Sequence, residues 1–194
     1  MTAGSLSVTQ TTLARLREEI DSSDATGETS IMLAPTMLKV AEIIGNTMAG
    51  VRKDIVSRME MERVSTSASM IVAGQRAGGE MRMFLIYPEG NFIEATEDTP
   101  FLQIGEHKYG KPILDRVVRS ETTLEDAQKA VLLSMDSTLR SNLSVGMPLD
   151  LAVIANNDCK ITMQRRLEAG DPDFARMSEA WSTALRDSFT QIQL

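Results

Sequence analysis

The sequence lacks the residues on which several classes of protein depend. Cys159 is its only cysteine, so no disulfide can form within the chain and nothing indicates an oxidising compartment. His107 is its only histidine, which excludes a histidine-based catalytic triad and a multi-histidine metal site. We therefore expect His107 on the surface or in a loop and Cys159 as a buried, inert thiol. Neither a metal nor a cofactor is expected.

Long apolar segments and basic clusters are also missing. No apolar run approaches the length that spans a bilayer, and the N-terminus lacks the basic start and apolar core of a signal peptide. The formal net charge of −7 argues against nucleic acid or an anionic membrane as a partner, and Arg165 and Arg166 form too small a basic patch to change that. We therefore expect a cytoplasmic protein that binds neither nucleic acid nor a membrane.

The length and composition are those of an ordinary globular protein. The chain has 194 residues, of which 42% are hydrophobic and 24% charged. This is enough to build one domain with a substantial core, so we expect residues 1–194 to form a single domain.

The helices are predicted from apolar residues at helical spacing. Ser7 and Gln10 have the spacing of a capping box at the start of the first helix, and Thr123 precedes the fourth as an N-cap. The apolar stripes are Leu13, Leu16 and Ile20; Met37, Val40, Ile44, Met48, Val51 and Ile55; Ile113, Leu114 and Val117; Leu124, Ala127, Val131, Met135 and Leu139; and Phe174, Met177, Trp181, Leu185 and Phe189.

The strands are predicted from short apolar runs between turn residues. Residues 68–75, 81–87 and 92–96 are expected to form an antiparallel meander, with tight turns at Ala77–Glu80 and Pro88–Asn91. Residues 149–155 are almost all apolar, which is typical of a strand buried on both faces, and residues 159–167 are its expected partner. Paired helices with strands in hairpins indicate an α+β fold.

Three segments in chain order carry a resemblance to a known family. They are TAGSLSVTQ at 2–10, YPEGNFIEA and IGEHKYGKPILDR within 84–118, and SNLSVGMPLDLAVI at 141–154. They resemble Anbu, the proteasome-type peptidase proposed as an ancestral β subunit and related to HslV and proteasome β subunits. The resemblance implies the four-layer αββα sandwich of N-terminal nucleophile hydrolases. It also implies self-association into a ring or other oligomer, with helix faces such as those carrying Met48 or Trp181 as contacts, and a peptide or unfolded protein as substrate. The resemblance specifies no particular unfoldase as a partner.

The same resemblance bears on the catalytic residues. In that family the nucleophile is a threonine at the mature N-terminus, its own amine is the base, and an aspartate and a lysine follow on the next strands. These positions precede the segment with which this chain begins, so we expect an N-terminally truncated chain that lacks the nucleophile and is inactive as it stands. Removal of Met1 would expose Thr2, but the match of 2–10 to the segment leading into the first helix argues against Thr2 as the nucleophile.

Two serines and a glutamate correspond to supporting positions in the family. The resemblance places Ser141 where relatives have an aspartate and Ser144 where they have a serine, with Val145–Gly146 in place of a glycine pair. Ser144 could then support the threonine amine by hydrogen bonding, whereas Ser141 supplies no charge. Alternatively, both serines close a helix C-terminus. Glu106 stands in a turn where relatives have serine, and there it acts on the amine or faces solvent.

These observations leave three functional hypotheses. The first is a threonine-type proteasome-like peptidase, active in the complete subunit. The second is a non-catalytic structural subunit of a ring, suggested by the absent nucleophile and by Ser141. The third and weakest is an unrelated α+β binding module.

Overall fold

The structure is a computed structural model that describes residues 1–58 and 66–193. The elements in chain order are β1 (Thr2–Gly4), α1 (Leu6–Asp21), α2 (Met37–Arg58), β2 (Ala68–Gly74), β3 (Arg82–Ile86), β4 (Phe92–Glu94), α3 (Lys111–Val117), α4 (Leu124–Ser141), β5 (Leu149–Val153), β6 (Met163–Leu167) and α5 (Pro172–Gln191). Within these ranges, no helix has the length and apolarity needed to cross a membrane.

The chain divides into two compact units, which are described in turn. The first comprises Met1–Gly105 with Ala155–Cys159, and the second comprises Glu106–Ile154 with Lys160–Leu194. That residues 1–194 form one proteasome-type domain stays a prediction.

The first unit contains a four-stranded sheet in the order β1-β2-β3-β4, with each neighbouring pair antiparallel. The predicted meander of β2, β3 and β4 is therefore confirmed. Its second turn is closed by hydrogen bonds from Gly90 N to Tyr87 O (2.9 Å) and from Tyr87 N to Asn91 O (2.8 Å). Gly90 has a φ of 90°, which a residue without a Cβ adopts at no steric cost.

Strand β1 is absent from the sequence-based prediction, which treated residues 2–10 only as the entry to the first helix. The strand is three residues long, and Thr2 pairs with Met70, Ala3 with Ser69 and Gly4 with Ala68. A segment this short carries no readable alternation, so only its pairing with β2 defines it as a strand.

Helix α2 supplies the centre of the core of the first unit. Its predicted stripe is confirmed, with Met37, Val40, Ile44, Met48 and Val51 all buried. Because the side chain of Met48 is 0% exposed, the prediction that it contacts another subunit is wrong. The stripe packs with Val8 and Leu16 of α1 and with Ala68, Met70, Phe84 and Ile86 of the sheet.

Helix α1 differs from its prediction at both its start and its buried face. It begins at Leu6, and its N-cap Ser5 makes no side-chain capping bond, so the capping box at Ser7 and Gln10 is wrong. Thr12 is buried while Leu13 is exposed. The Thr12 hydroxyl tolerates burial because it donates a 2.7 Å hydrogen bond to Val8 O.

Two glycines let α2 approach the β3–β4 turn at backbone distance. A Cβ placed on Gly45 would lie 2.2 Å from Gly90 O, and a Cβ on Gly90 would lie 2.7 Å from Gly45 O. Real Cβ atoms do not come this close to a backbone oxygen, so neither position has room for a side chain.

A half-buried ion pair joins β3 to β4. Arg82 donates two hydrogen bonds to Glu94, from Nε to Oε1 at 2.5 Å and from Nη2 to Oε2 at 2.7 Å. Its guanidinium also lies 4.9 Å from the ring centroid of Phe84. The hydrogen bond from Arg82 holds the pKa of the Glu94 carboxyl below its ordinary value, although partial burial opposes the shift.

In the second unit, α3 and α4 pack through small and polar residues. A Cβ on Gly110, the N-cap of α3, would lie 2.2 Å from Ser134 Oγ on α4. The buried residues of α4 are Ala130, Ser134, Asp136 and Thr138. Leu124 and Val131 of the predicted stripe are exposed, so that prediction is wrong for them. The predicted cap is confirmed, because Thr123 Oγ1 accepts a 3.1 Å hydrogen bond from Asp126 N.

A polar clasp, formed by Asp136, Arg140 and Ser178, joins α4 to α5. Asp136 is 5% exposed and accepts hydrogen bonds from Ser178 Oγ (2.7 Å) and from Arg140 Nε (3.2 Å to Oδ2). Arg140 Nη2 also donates to Ser178 Oγ at 2.6 Å. A buried carboxylate needs such partners, so the clasp fixes where the first turns of α5 lie on α4.

Strands β5 and β6 form a two-stranded antiparallel sheet in which Leu149 pairs with Leu167. Only Leu149 of β5 is buried, whereas Asp150 and Ala152 are exposed, so the prediction of a strand buried on both faces is wrong. The partner strand begins at Met163 and not at Cys159.

Because Gly45 contacts backbone, replacing glycine by alanine should have opposite effects on stability at two positions of α2. Gly45→Ala should lower the free energy of unfolding by about 1–3 kcal/mol, because its methyl group collides with backbone. Gly50→Ala is the matched control: its Cβ would meet only Arg15 Nη1, at 4.0 Å, so we expect a gain of up to about 1 kcal/mol. Urea unfolding measures both, and two stabilised variants would contradict the close approach.

The Arg82–Glu94 pair predicts a pH dependence of stability. A carboxyl whose pKa is lowered in the folded state stabilises the fold above its unfolded pKa, about 4.3, and this contribution is lost as the pH falls through the lower folded-state pKa. Glu94→Gln should lower the free energy of unfolding by about 1 kcal/mol at neutral pH. The side chains of Arg82 and Glu94 are only 30% and 33% exposed, so solvent screens the pair only in part.

Unfolding measured between pH 7 and pH 3 tests this, with Glu97→Gln as the control at an exposed glutamate in the next loop. The difference in the free energy of unfolding between wild type and Glu94→Gln should shrink below about pH 4.3. If this difference is constant between pH 7 and pH 3, the Arg82–Glu94 pair does not stabilise the fold as predicted.

Candidate functional site

The candidate site is a hydrogen-bonded cluster of Glu106, Asn142 and Ser144 in the second unit. Asn142 Oδ1 accepts hydrogen bonds from Ser144 N at 2.9 Å and from Ser144 Oγ at 2.6 Å. Asn142 Nδ2 donates to Glu106 Oε2 at 2.9 Å. The amide of Asn142 thus joins the hydroxyl of Ser144 to the carboxylate of Glu106, which lies 36 residues before Asn142 in the sequence.

The end of α4 positions Asn142. Ser141 is the last residue of the helix, and Asn142 is its C-cap, whose backbone N–H donates to Thr138 O at 2.9 Å. The chain then turns, with Val145 N donating to Asn142 O at 3.2 Å. An asparagine side chain that accepts from the backbone two residues on is typical of such turns, and here it also holds the Ser144 hydroxyl.

The directions of these hydrogen bonds decide what the cluster can bind. Ser144 has one hydroxyl proton and directs it at Asn142 Oδ1, so the remaining valences of its Oγ are acceptors. The Glu106 carboxylate also accepts only. Ser144 is exposed and Glu106 is half-buried. The cluster therefore suits a group that brings N–H donors, such as an amine or an ammonium.

The structure brings together two of the three residues singled out from the sequence. Ser144 and Glu106 meet through Asn142, whereas the side chain of Ser141 is exposed and joins no hydrogen bond of the cluster within residues 1–58 and 66–193. Glu106 is half-buried and its carboxylate accepts a hydrogen bond from Asn142, and both alternatives for it, acting on the amine or facing solvent, stay predictions. Whether Ser141, Ser144 or Glu106 takes part in catalysis stays a prediction.

Asn142 is the member of the cluster that the sequence analysis missed. The Asn-x-Ser spacing of Asn142 and Ser144 is a local signal for an asparagine side chain that bonds the backbone two residues on. The link to Glu106 has no such signal, because it depends on how the chain folds back.

The remaining candidates behave as structural or surface residues. His107 is exposed and precedes α3, as expected. Cys159 is exposed with a φ of 48°, so the prediction of a buried thiol is wrong: it lies in the connection before β6 and not on a strand. Thr2 is exposed and lies within β1. The described part of the chain holds no group of three or more His, Cys, Asp or Glu side chains that could bind a metal ion.

Known structures share this architecture over the whole chain. The Gly-1 mutant of Anbu from Hyphomicrobium sp. strain MC1 is 44% identical with a TM-score of 0.91, and the match covers 100% of this chain and 79% of that one. Anbu (ancestral β-subunit) from Yersinia bercovieri is 37% identical with a TM-score of 0.90, covering 100% and 79%. The Anbu complex from Pseudomonas aeruginosa, a helical assembly, is 39% identical with a TM-score of 0.91, covering 100% and 78%.

These matches place the molecule among α+β proteins with the fold of a proteasome-like subunit. The chain belongs to the Anbu family, whose name denotes the ancestral β-subunit. No protein-family model matches the sequence, and neither does any of the curated proteins with which it was compared.

The cluster geometry predicts that Asn142 holds Ser144 in place. Asn142→Ala removes the acceptor of both the Ser144 amide and its hydroxyl, so the amide should exchange its hydrogen about fivefold to tenfold faster, as expected for the loss of about 1 kcal/mol. Leu143→Ala is the control, because Leu143 lies between the two and is fully exposed. Amide exchange followed by NMR measures both variants. An unchanged Ser144 rate in Asn142→Ala would show that the amide does not hold the serine.

Proposed function

We propose that this chain is part of a subunit of a proteasome-like peptidase. The complete subunit would hydrolyse peptide bonds through an acyl-enzyme formed on an N-terminal threonine. The observation that carries the proposal is the match to Anbu structures over 100% of this chain at 37–44% identity. The same match, which spans 79% of the relatives' chains, supports a four-layer sandwich in a single domain that includes strands outside this sequence.

The chemistry of the cluster agrees with this function. A threonine hydroxyl becomes a useful nucleophile when a neighbouring base removes its proton, and the free amine of the same residue can serve as that base. The amine must direct its lone pair at the hydroxyl, so acceptors for its N–H groups are needed on the other side. Ser144 Oγ offers such an acceptor, because its own proton is held by Asn142.

The proposal includes self-association. The relative from Pseudomonas aeruginosa is described as a helical assembly of the Anbu complex. We expect this chain to assemble with copies of itself into a ring or a helical particle in the cytoplasm, and to act on peptides or unfolded proteins.

A non-catalytic structural subunit is the second candidate. Ser141 favours it, because the resemblance puts an aspartate at that position and a serine cannot provide a carboxylate's charge. Under this candidate the chain would assemble as its relatives do without cleaving peptides.

The test is made on the protein purified from its source cells. Intact-mass measurement is combined with a covalent probe that reacts with N-terminal threonines. A peptidase subunit should have a mass above 21.3 kDa, begin with threonine and gain the mass of one probe. An assembled particle that the probe does not label would favour the structural subunit. A mass equal to this chain would contradict the peptidase proposal.

A further inference from the structure

Helices α1 and α2 of the first unit leave a polar groove between them. Its volume is about 350 Å³, which is within the range of sites that hold small ligands. Both helices belong to the same unit. We call this feature the α1–α2 groove, and the residues that line it are Arg15, Glu18 and Glu19 of α1 and Asn46, Thr47 and Gly50 of α2.

The base of the α1–α2 groove is Gly50, and the packing of the described residues does not require a glycine there. Gly50 lies in the interior of α2, where glycine is less stable than alanine. The nearest atom to an added Cβ would be Arg15 Nη1, at 4.0 Å, so a methyl group has room. The missing side chain instead lets a ligand come close to the backbone of α2.

One end of the α1–α2 groove carries a positive charge. Arg15 Nη2 donates a 2.8 Å hydrogen bond to Asp54 Oδ2, which fixes the orientation of the guanidinium, and Nη1 faces the groove beside Gly50. A guanidinium held by one carboxylate still has N–H groups for a second one, because it carries five donors. This end therefore fits a carboxylate of a ligand.

The other end of the α1–α2 groove offers hydrogen-bond acceptors. Glu18 and Glu19 bring two carboxylates. Thr47 Oγ1 donates its own proton to Ile43 O at 2.8 Å, so its lone pairs are left to accept. An ammonium group has three N–H donors and a positive charge, which match these acceptors. A lone cation would lie beside the guanidinium and a lone anion beside two carboxylates, so a ligand with both charges fits best.

We propose that the α1–α2 groove binds a short peptide with free termini, whose carboxylate contacts Arg15 and whose ammonium contacts Glu18 and Glu19. Four residues of α1 separate the two ends, a rise of about 6 Å. An extended peptide of two residues spans about 7 Å, so a dipeptide reaches from one end to the other and a single amino acid does not. The inference goes beyond the proposed function and does not depend on it, although such peptides are a class of product that a peptidase releases.

The experiment measures binding of the dipeptide Ala-Ala to the full native subunit by saturation-transfer difference NMR. Ala-Ala should bind with a Kd of about 1 mM, as expected for a small ligand held by two charged contacts. N-acetyl-Ala-Ala lacks the ammonium and Ala-Ala amide lacks the carboxylate, so each should bind about tenfold more weakly. The measurement is repeated after reaction with the threonine probe, which keeps Ala-Ala out of the proposed peptidase site.

Substitutions in the α1–α2 groove locate the binding. Gly50→Leu fills the base of the groove and Arg15→Gln removes the contact with the carboxylate, so each should weaken binding about tenfold. Arg17→Gln is the matched control, because it removes the same charge from an exposed arginine of α1 that does not line the groove. Gly50→Ala, which we expect to fold at least as stably as wild type, should weaken binding about threefold and tests the inference even if Gly50→Leu unfolds.

The outcomes separate this inference from the proposed function. No saturation transfer to Ala-Ala at about ten times the expected Kd would contradict the inference. Equal binding to wild type, Gly50→Leu and Arg15→Gln would also contradict it, because the dipeptide would then lie elsewhere. Binding that is lost after probe treatment would place the dipeptide in the peptidase site, which contradicts the inference and supports the proposed function. A native protein that the probe does not label, but whose binding of Ala-Ala depends on Arg15, would support the inference while the peptidase proposal fails.

Discussion

The first unit depends on the burial of one face of α2 against the sheet. Met48 and Val51 are 0% exposed, and the face they share reaches both α1 and the inner side of β3. Burial of each such side chain contributes about 1.5–3 kcal/mol, so α2 is the largest single source of apolar stabilisation in this unit. The position of the helix is then limited at one point by the contact of Gly45 with Gly90. There, backbone meets backbone and the approach cannot be adjusted by choosing another rotamer.

The second unit is held differently. Helix α4 buries Ser134, Asp136 and Thr138, and the side chains that join it to α5 are a carboxylate, a guanidinium and a hydroxyl. Such contacts are directional and costly to leave unmatched, so they fix orientation more than they add net stability. This explains how α5 can be anchored near its beginning while its residues from 183 to 193 are exposed.

The same contrast explains how much of the fold could be predicted. The stripe of α2 was readable because its buried positions are occupied by large apolar residues over several turns. The buried face of α4 could not be predicted in the same way. Gly110 brings α3 close enough for Ser134 and Thr138 to be buried, whereas hydropathy assigns serine and threonine to the surface. Strand β1 could not be recognised for a related reason, since three residues have no period and the strand exists only through its pairing with β2.

The candidate site shows where sequence comparison and geometry meet. Resemblance pointed to Ser144 and Glu106 separately, and to position 141 as the place of a carboxylate that this chain lacks. In the folded chain a carboxylate is nevertheless one amide away from Ser144, because Asn142 binds Glu106 with its nitrogen and the serine with its oxygen. An amide does not exchange protons readily, so this link cannot pass a proton from serine to glutamate. Glu106 therefore acts on Ser144 through orientation: it fixes which way the amide faces, and the amide fixes where the hydroxyl proton is directed.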